Sequence, residues 1–568
     1  MTTLFSQPVA INPRAIARDY QLEDHDSVFR ELATHRSTLC VEATGLGKTV
    51  EMGLIADTIV SGRSPIQGKI LFLTHRNKIA FQTRNTIQWI TGLPVSLEMG
   101  NHRANLDDQL CVATVQTLGR DRKNEFKPDE YALVVADEAH CAATPQWHAV
   151  IDYFMANPKC KLLGFTATPD RRDKRSLKKL FETVATNRPI RWGIDNGWLV
   201  PVDVLSQPLP QLDLSKVEMS CGDLNTAQLG DQLETEKVLH PMIQPMLEIV
   251  CQAPLHSLDP TFNPGQTPIE FRAFMDEWLT EYQLRKALIF GVRVKHAELI
   301  ADIINRWIPN GQAAHIHGGT LEDERIRLYR EYKSGKIMFL ANVDVATVGF
   351  DETTVQIVVL GRPSTSRAWV TQAIGRATRP LKGVVDAPGL TTPELRKAAI
   401  AASGKPSCLV IHFNPISARH QLQSPFHALA GTGYDLATIA RAKKNADKEG
   451  RKDGMLALDE AKEEITKERE EQKAKRAQLR IQSTYSAPVK VDMFKGMNIS
   501  SYRERPHEVG KAPSEKMYKC LKRAGAWRDG MTFSEARQAI QYLVRHNWQL
   551  TAHVAPVSNT PDEIWEHV

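Results

Sequence analysis

Short apolar runs alternate with helix-length mixed segments along two stretches of the chain. Between Leu39 and Thr168 the runs are STLCVEATG, KILFLTH, QLCVATVQ, YALVVADEAH and KLLGFTATP; between Lys286 and Pro415 they are KALIFGVR, AAHIHGG, KIMFLANVD, TVQIVVLG and SCLVIHFNP. Strands that are apolar on both faces and separated by helices predict parallel sheets covered on both sides. Two doubly wound α/β lobes in tandem are expected, over 1–200 and 286–420. Between them the pattern is less regular, and APLHSLDPTFNPGQTP excludes a helix interior or a central strand, so 201–285 reads as a connector or insertion. Ala440 to Gln482 is dominated by Glu, Lys, Ala and Arg, with only Leu458, Ala461 and Ile465 in an apolar stripe; this predicts a solvated charged helix within a linker over 421–500. Helical spacing returns at Tyr518, Leu521, Ala524 and Trp527, then at Ala536, Ile540, Leu543 and Val544 around Gly530, predicting a small helical module within 501–568.

Composition narrows the class without choosing the function. At 568 residues, with 42% hydrophobic and 24% charged, the chain has material for several ordinary globular units. No apolar run reaches the roughly 18 residues that cross a bilayer, and MTTLFSQPVAINPRAI has no secretory pattern, so a cytoplasmic protein without membrane contact is expected. Eight scattered cysteines, with no C-x-x-C pair, read as reduced thiols and not as a zinc site. The net charge of +6 permits a polyanionic partner, but 72 basic residues stand against 66 acidic ones, so charge alone does not demand one.

Two motifs carry chemistry. Ala43-Thr44-Gly45-Leu46-Gly47-Lys48-Thr49 follows an apolar run and opens a helix, the setting in which a glycine-rich loop cradles phosphates. Gly45 and Gly47 let backbone N–H groups converge, with Thr44 and Leu46 completing the loop; Lys48 supplies a point charge and the Thr49 hydroxyl a ligand for Mg²⁺. Glu42 stands where the usual pattern has its first glycine. A second apolar run delivers Asp137-Glu138-Ala139-His140, where Asp137 would hold Mg²⁺ and Glu138 would polarise water. Two carboxylates at a strand end, beside a phosphate loop, predict nucleoside triphosphate hydrolysis.

From Arg18 to Pro415 these motifs fall in a series: RDYQ (Arg18 to Gln21), ATGLGKT, FLTHRNKIAFQT, VATVQTL, DEAH, FTATP, ALIFGVR, IHGG, DVATVGFD (Asp344 to Asp351) and QAIGRATRP (Gln372 to Pro380). In this order they resemble a superfamily 2 helicase of the DEAH-containing type, and most resemble bacterial and phage enzymes of the RadD, UvsW and XPB kind. The resemblance implies two RecA-like lobes followed by a C-terminal helical extension. It implies ATP and Mg²⁺ as cofactors, with Gln21 reading adenine, Gly349 and Asp351 lining the inter-lobe cleft, and Gln372, Arg376 and Arg379 facing the γ-phosphate. Arginines brought across a closing cleft would make hydrolysis depend on closure. His140, Thr166 and Thr168 would couple hydrolysis to strand movement. Nucleic acid would be gripped through phosphates, without reading sequence, by Thr74, Arg76, Thr114 and Gln116 in the first lobe and His317, Gly318 and Thr347 in the second. The function implied is an ATP-dependent DNA helicase or translocase acting on single strands or forks in repair, recombination or fork remodelling. The alternatives are an RNA helicase or the motor subunit of a restriction or defence nuclease assembly. The C-terminal module, with Lys516, Lys519, Arg523 and Trp527, is expected to engage a strand or a protein partner.

Overall fold

Each apolar run becomes a strand shielded from water on both faces, because a parallel sheet wrapped by crossover helices leaves neither face open. The structure, a computed structural model, describes residues 17–142, 144–168, 174–220, 222–251, 285–307, 312–343, 352–431, 433–449, 452–482 and 507–545. In the first lobe β1 (Ser37–Glu42), β2 (Lys69–Thr74), β3 (Val95–Glu98), β4 (Leu110–Thr114), β5 (Tyr131–Asp137), β6 (Lys161–Thr166) and β7 (Thr183–Arg188) form one all-parallel sheet in the order β3-β4-β2-β5-β6-β1-β7. Its two faces carry separate apolar cores, one around Val134, Phe154 and Phe181, the other around Ile55, Phe72 and Phe165. The chain reverses sheet order next to β1, and there the C-terminal strand ends converge on an open crevice, the usual ligand position in such sheets.

The second lobe begins earlier than its motif pattern suggests. β8 (Val202–Leu214) lies in the stretch read as a connector, yet it pairs in parallel with the last long strand of the second sheet. After the small hairpin of β9 (Met219–Ser220) and β10 (Asp223–Leu224) come β11 (Ala287–Phe290), β12 (Ala313–Ile316), β13 (Phe339–Asn342), β14 (Ile357–Leu360), β15 (Cys408–Ala418) and β16 (Lys452–Asp453), in the order β12-β13-β11-β14-β15-β8-β16. All pairings in this sheet are parallel except the two-residue β16 on β8. Beyond Asp203 and Val204 the outer edge of β8 pairs with no other strand among the described residues, which is why Pro208 and Pro210 are accommodated there and why its sequence does not read as a core strand.

The charged segment is also partly core. The helices Pro425–Ala430 and Leu436–Glu449, and the first three turns of Gly454–Gln482, place Phe426, Leu429, Ala442, Ala446, Ala457, Leu458 and Ala461 against Val202, Val204 and Val410. Small side chains let these helices approach closely, so a narrow stripe is enough to bury them and the remaining faces are free to be charged. The linker read over 421–500 is therefore second-lobe structure up to about residue 465. The chain divides into two compact units, the boundary falling between Thr466 and Lys467.

Taken by itself, the second unit contains the helices Glu515–Arg523 and Phe533–Arg545, packed through Leu521, Ala526, Met531, Ala536, Ala539 and Leu543. Trp527 packs edge-on against Tyr518, and its indole N–H donates to Asp529 Oδ1 at 3.1 Å. Lys516, Lys519 and Arg523 are exposed. Among the described residues no helix is long and apolar enough to cross a membrane.

Candidate nucleotide site and nucleic-acid face

The phosphate loop joins β1 to the helix Lys48–Val60. Gly45 and Gly47 both have left-handed backbones, with φ of 99° and 96°, a conformation that costs glycine little. Space demands glycine as well: a Cβ on Gly47 would lie 2.8 Å from Gln21 Nε2, and one on Gly45 would lie 3.0 Å from Arg379 Cγ. The loop is thus touched from one side by the adenine-reading candidate and from the other by an arginine of the second lobe. Its helix starts without a side-chain cap, leaving its first N–H groups to an anion.

Gln21 is buried on the first turn of the helix Asp19–Thr34. Its Oε1 accepts from Arg18 N at 3.0 Å, and its Nε2 faces the carbonyls of Leu46 and Gly47, each at 3.4 Å. The Tyr20 hydroxyl donates to Leu46 O from the same turn. This element therefore braces the loop as well as lining the crevice. Arg18 crosses to the second lobe, pairing with Asp386 at 2.8 Å, and lies over the Trp198 ring, as does Arg396.

β5 delivers the acidic pair. Glu138 has φ of 55°, the one left-handed non-glycine residue among those described, a strained turn that aims its carboxylate back into the crevice. Its N–H donates to Asp137 Oδ1 at 2.9 Å. Burial, together with the neighbouring Glu138 charge, pushes Asp137 up to about 7. Burial acts on Glu138 in the same direction, but Lys48 and the imidazoles of His140 and His75 outweigh it and hold Glu138 well below the carboxylate range. His140 sits 3.2 Å from Glu138 and 3.3 Å from Thr166 Oγ1. Burial alone would lower His140, yet its hydrogen bonds to Cys141 and Glu138 raise it to about 10, so it is cationic at neutral pH. Thr166 in turn donates to the carbonyl of Thr168 at 3.0 Å. A buried carboxyl whose ionisation is suppressed by its surroundings is relieved by a divalent cation, and Asp137 suits Mg²⁺ in that respect, with Thr49 lining the same cleft.

Glu42, at the departure from the loop pattern, is fully buried beside Glu51; burial pushes Glu42 up to about 7 and Glu51 well above its ordinary value. The Glu42 side chain interacts with that of Glu51, while its backbone carbonyl accepts from Lys48 Nζ at 3.3 Å.

These parts line one cleft of about 700 Å³ that includes Gln21, residues 44–50, Asp137, Glu138, Arg376 and Arg379. Arg18, the first residue of RDYQ, also lines it, as do Trp89, Thr353 and Asp386, which no motif marks. Gln372, half-buried on the helix Arg367–Ile374, is not part of that lining. Gly349, Asp351 and Thr347 lie outside the described residues.

Of the candidate nucleic-acid contacts in the first lobe, Thr74 and Thr114 are buried strand ends, and the Thr114 hydroxyl bonds Thr117 at 2.8 Å. Arg76 and Gln116 are exposed, Gln116 Nε2 donating to His75 O at 2.8 Å. A groove of about 340 Å³ here is lined by His75, Asn77, Gly100, Thr114, Gln116, Thr117, Arg120 and Arg122. The two arginines follow the fourth strand and could have been found as the basic residues nearest VATVQTL. In the second lobe His317 follows β12, its Nδ1 accepting from Gly319 N at 3.1 Å, with Gly318 exposed beside it.

Residues 15–171 match the family described as type III restriction enzyme, res subunit, and residues 270–380 match the helicase conserved C-terminal domain. The two matches lie in the order of the two halves of a superfamily 2 helicase motor, and they support that reading of the chain. The chain is 28% identical over 374 residues to the putative ATP-dependent helicase IRC3 of Saccharomyces cerevisiae, covering 64% of this chain and 49% of that one. It is 24% identical to the putative mitochondrial ATP-dependent helicase irc3 of Schizosaccharomyces pombe, covering 61% of this chain and 52% of the relative. The chain thus spans about half the length of these curated relatives. Among solved structures, a fragment of a putative HsdR subunit of a type I restriction enzyme from Vibrio vulnificus aligns at 19% identity with a TM-score of 0.47, covering 70% of this chain and 64% of that one.

Proposed function

We propose that the protein is an ATP-driven DNA translocase or helicase that grips one strand and moves by opening and closing the cleft between its lobes. The observation that carries this reading is the placement of Arg376 and Arg379 from one lobe in the same cleft as the phosphate loop and acidic pair of the other. In this reading Lys48 neutralises the phosphates and Thr49 and Asp137 hold Mg²⁺, which supplies Lewis-acid charge when bound. Glu138, held ionised, orients and deprotonates water, and the two arginines stabilise charge on the transferring phosphoryl group only when the lobes meet. His140 bridges Glu138 to Thr166 and so ties the water-activating carboxylate to the segment that leads toward the strand. Arg76, Gln116, Arg120 and Arg122 would track phosphates without reading bases.

DNA is favoured because the first-lobe family is named for a restriction subunit; further relatives are divided, one being a putative ATP-dependent RNA helicase of Methanocaldococcus jannaschii at 28% identity over 177 residues and one the ATP-dependent DNA helicase MPH1 at 26% over 164 residues. RadD, UvsW and XPB enzymes, and a role in repair or fork remodelling, fit the same motor. The decisive experiment is ATPase stimulation by single-stranded DNA, duplex DNA, forks and RNA, run beside two variants. Lys48→Ala should abolish turnover, and Glu138→Gln should retain nucleotide binding but lose turnover. Wild-type turnover in Glu138→Gln would overturn the chemistry, and stimulation by RNA alone would overturn the choice of DNA.

A further inference from the structure

Lys405 is fully buried, a costly position for an ammonium group without compensating partners. Its Nζ donates to two backbone carbonyls, Thr353 O at 2.8 Å and Arg379 O at 2.6 Å, which come from separate segments of the second lobe. Thr353 and Arg379 both line the cleft, and Arg379 is the arginine packed on Gly45 of the phosphate loop. The base of the lysine is fixed independently. Lys405 N donates to Ser403 Oγ at 3.1 Å, Ser403 Oγ donates to Ile400 O at 2.7 Å, and Gly404 O accepts from Gln356 Nε2 at 3.0 Å. Burial, with the Arg379 guanidinium adding to it, lowers the ammonium to about 8, and only Cys408 and Glu352 oppose this.

The chain beyond the helix Arg367–Ile374 leaves regular structure before it reaches Arg379, and Pro380 then confines Arg379 to extended backbone. A carbonyl there has no helix or strand to satisfy it, so its position depends on a donor brought from elsewhere. We propose that Lys405 is a positioning residue for the arginine finger: by clamping the Arg379 and Thr353 carbonyls together, it holds the Arg379 side chain at the height of the phosphate loop. This rests on the reading of Arg379 as a finger, and the test separates the two.

The test is a double-mutant cycle on the full chain, measuring nucleic-acid-stimulated kcat and the KM for ATP in wild type, Lys405→Met, Arg379→Ala and the combination. Lys405→Met should lower kcat by about tenfold or more with KM within about threefold. The double variant should fall within about twofold of Arg379→Ala alone, because a residue acting only through Arg379 has nothing further to lose. Lys405→Gln, which keeps one N–H donor group, should recover part of the loss. Fully multiplicative losses, or a Lys405→Met effect confined to KM, would overturn the positioning role. Wild-type turnover in Arg379→Ala would instead refute the finger itself. Failure of both Lys405 variants to fold would make the lysine a folding residue and overturn the proposal.

Discussion

At the scale of single residues, the cleft is built from close approaches that leave no spare volume. Gly375 has an ordinary right-handed backbone, yet a Cβ placed on it would lie 2.6 Å from Thr44 Cβ, across from the phosphate loop. Glycine is needed there by the neighbouring lobe and not by its own φ. Gly375→Ala should therefore act as a wedge, lowering stimulated turnover by an order of magnitude while costing about 1–3 kcal/mol of stability, the range of a single overpacked methyl. Arg376→Ala, its chain neighbour, removes charge and adds no volume. It should leave nucleotide affinity within a few fold and lower stimulated turnover by roughly 10³. Single-turnover kinetics and thermal melts on both variants check the contrast, and a two- or threefold effect for Arg376→Ala would remove it from the phosphoryl-transfer chemistry. Both residues lie within QAIGRATRP, from which Arg376 was legible as a candidate and Gly375 was not singled out. What the motif could not show was that Thr44 is the atom Gly375 must avoid, since that contact joins positions more than 300 residues apart.

At the scale of elements, buried histidines set a pH limit on the second lobe. Burial depresses His296 to about 4 and His412 to about 3, from an ordinary 6.5. His296 is held neutral by accepting from Val292 N at 3.1 Å, and His412 lies on β15, between β14 and β8. Between these values and 6.5 the unfolded chain binds protons that the folded one does not. Stability therefore rises with pH across that window and is lost as pH falls from 6.5 toward 4. Each histidine should contribute roughly 2 kcal/mol to the difference between pH 8 and pH 5. In the first lobe Glu42 and Asp137, pushed up to about 7, act in the opposite direction over the same range, so the readout is the difference between proteins: in thermal melts from pH 8 to pH 5 His412→Leu should lose less stability than wild type. An unchanged slope in that variant would mean that His412 is not protonated on unfolding in this window. The strand carrying His412 was evident as SCLVIHFNP, but its partner β8 was not. Two prolines and alternating polar residues hid β8 from a reading based on apolar runs, and only its place near the sheet edge makes them tolerable.

For the whole molecule, the motor does not end with its last motif. Phe426, Leu429 and Leu458 are each fully buried against the second lobe, and each such side chain is worth about 1.5–3 kcal/mol. Removing them together is comparable to the entire stability of a typical domain. A chain ending at Asn414 should aggregate, whereas one ending at Thr466 should unfold cooperatively and retain basal ATPase. Gel filtration and melting of the two truncations decide this, and a folded 1–414 would make the later helices accessory. Binding of single strands should weaken steeply with salt, log affinity falling with log salt concentration by about 0.7 per phosphate contact, and should vary little with base sequence. A flat salt dependence or a preferred short sequence would argue against phosphate tracking.

Two kinds of information are separated by this chain. Order along it was enough for the alternation of strands and helices, the phosphate loop, the acidic pair and the arginines that follow them, because each depends on neighbours within a few residues and on backbone demands such as those of Gly45 and Gly47. Proximity between distant segments was not. That Gln21 braces the loop, that Arg18 reaches Asp386, that an alanine stripe at 442–461 is core, and that Lys405 holds two cleft carbonyls all depend on which surfaces the folded lobes bring together. A buried lysine and a solvated one are the same letter until the sheet, the preceding helix and the turn after Arg379 have closed around it.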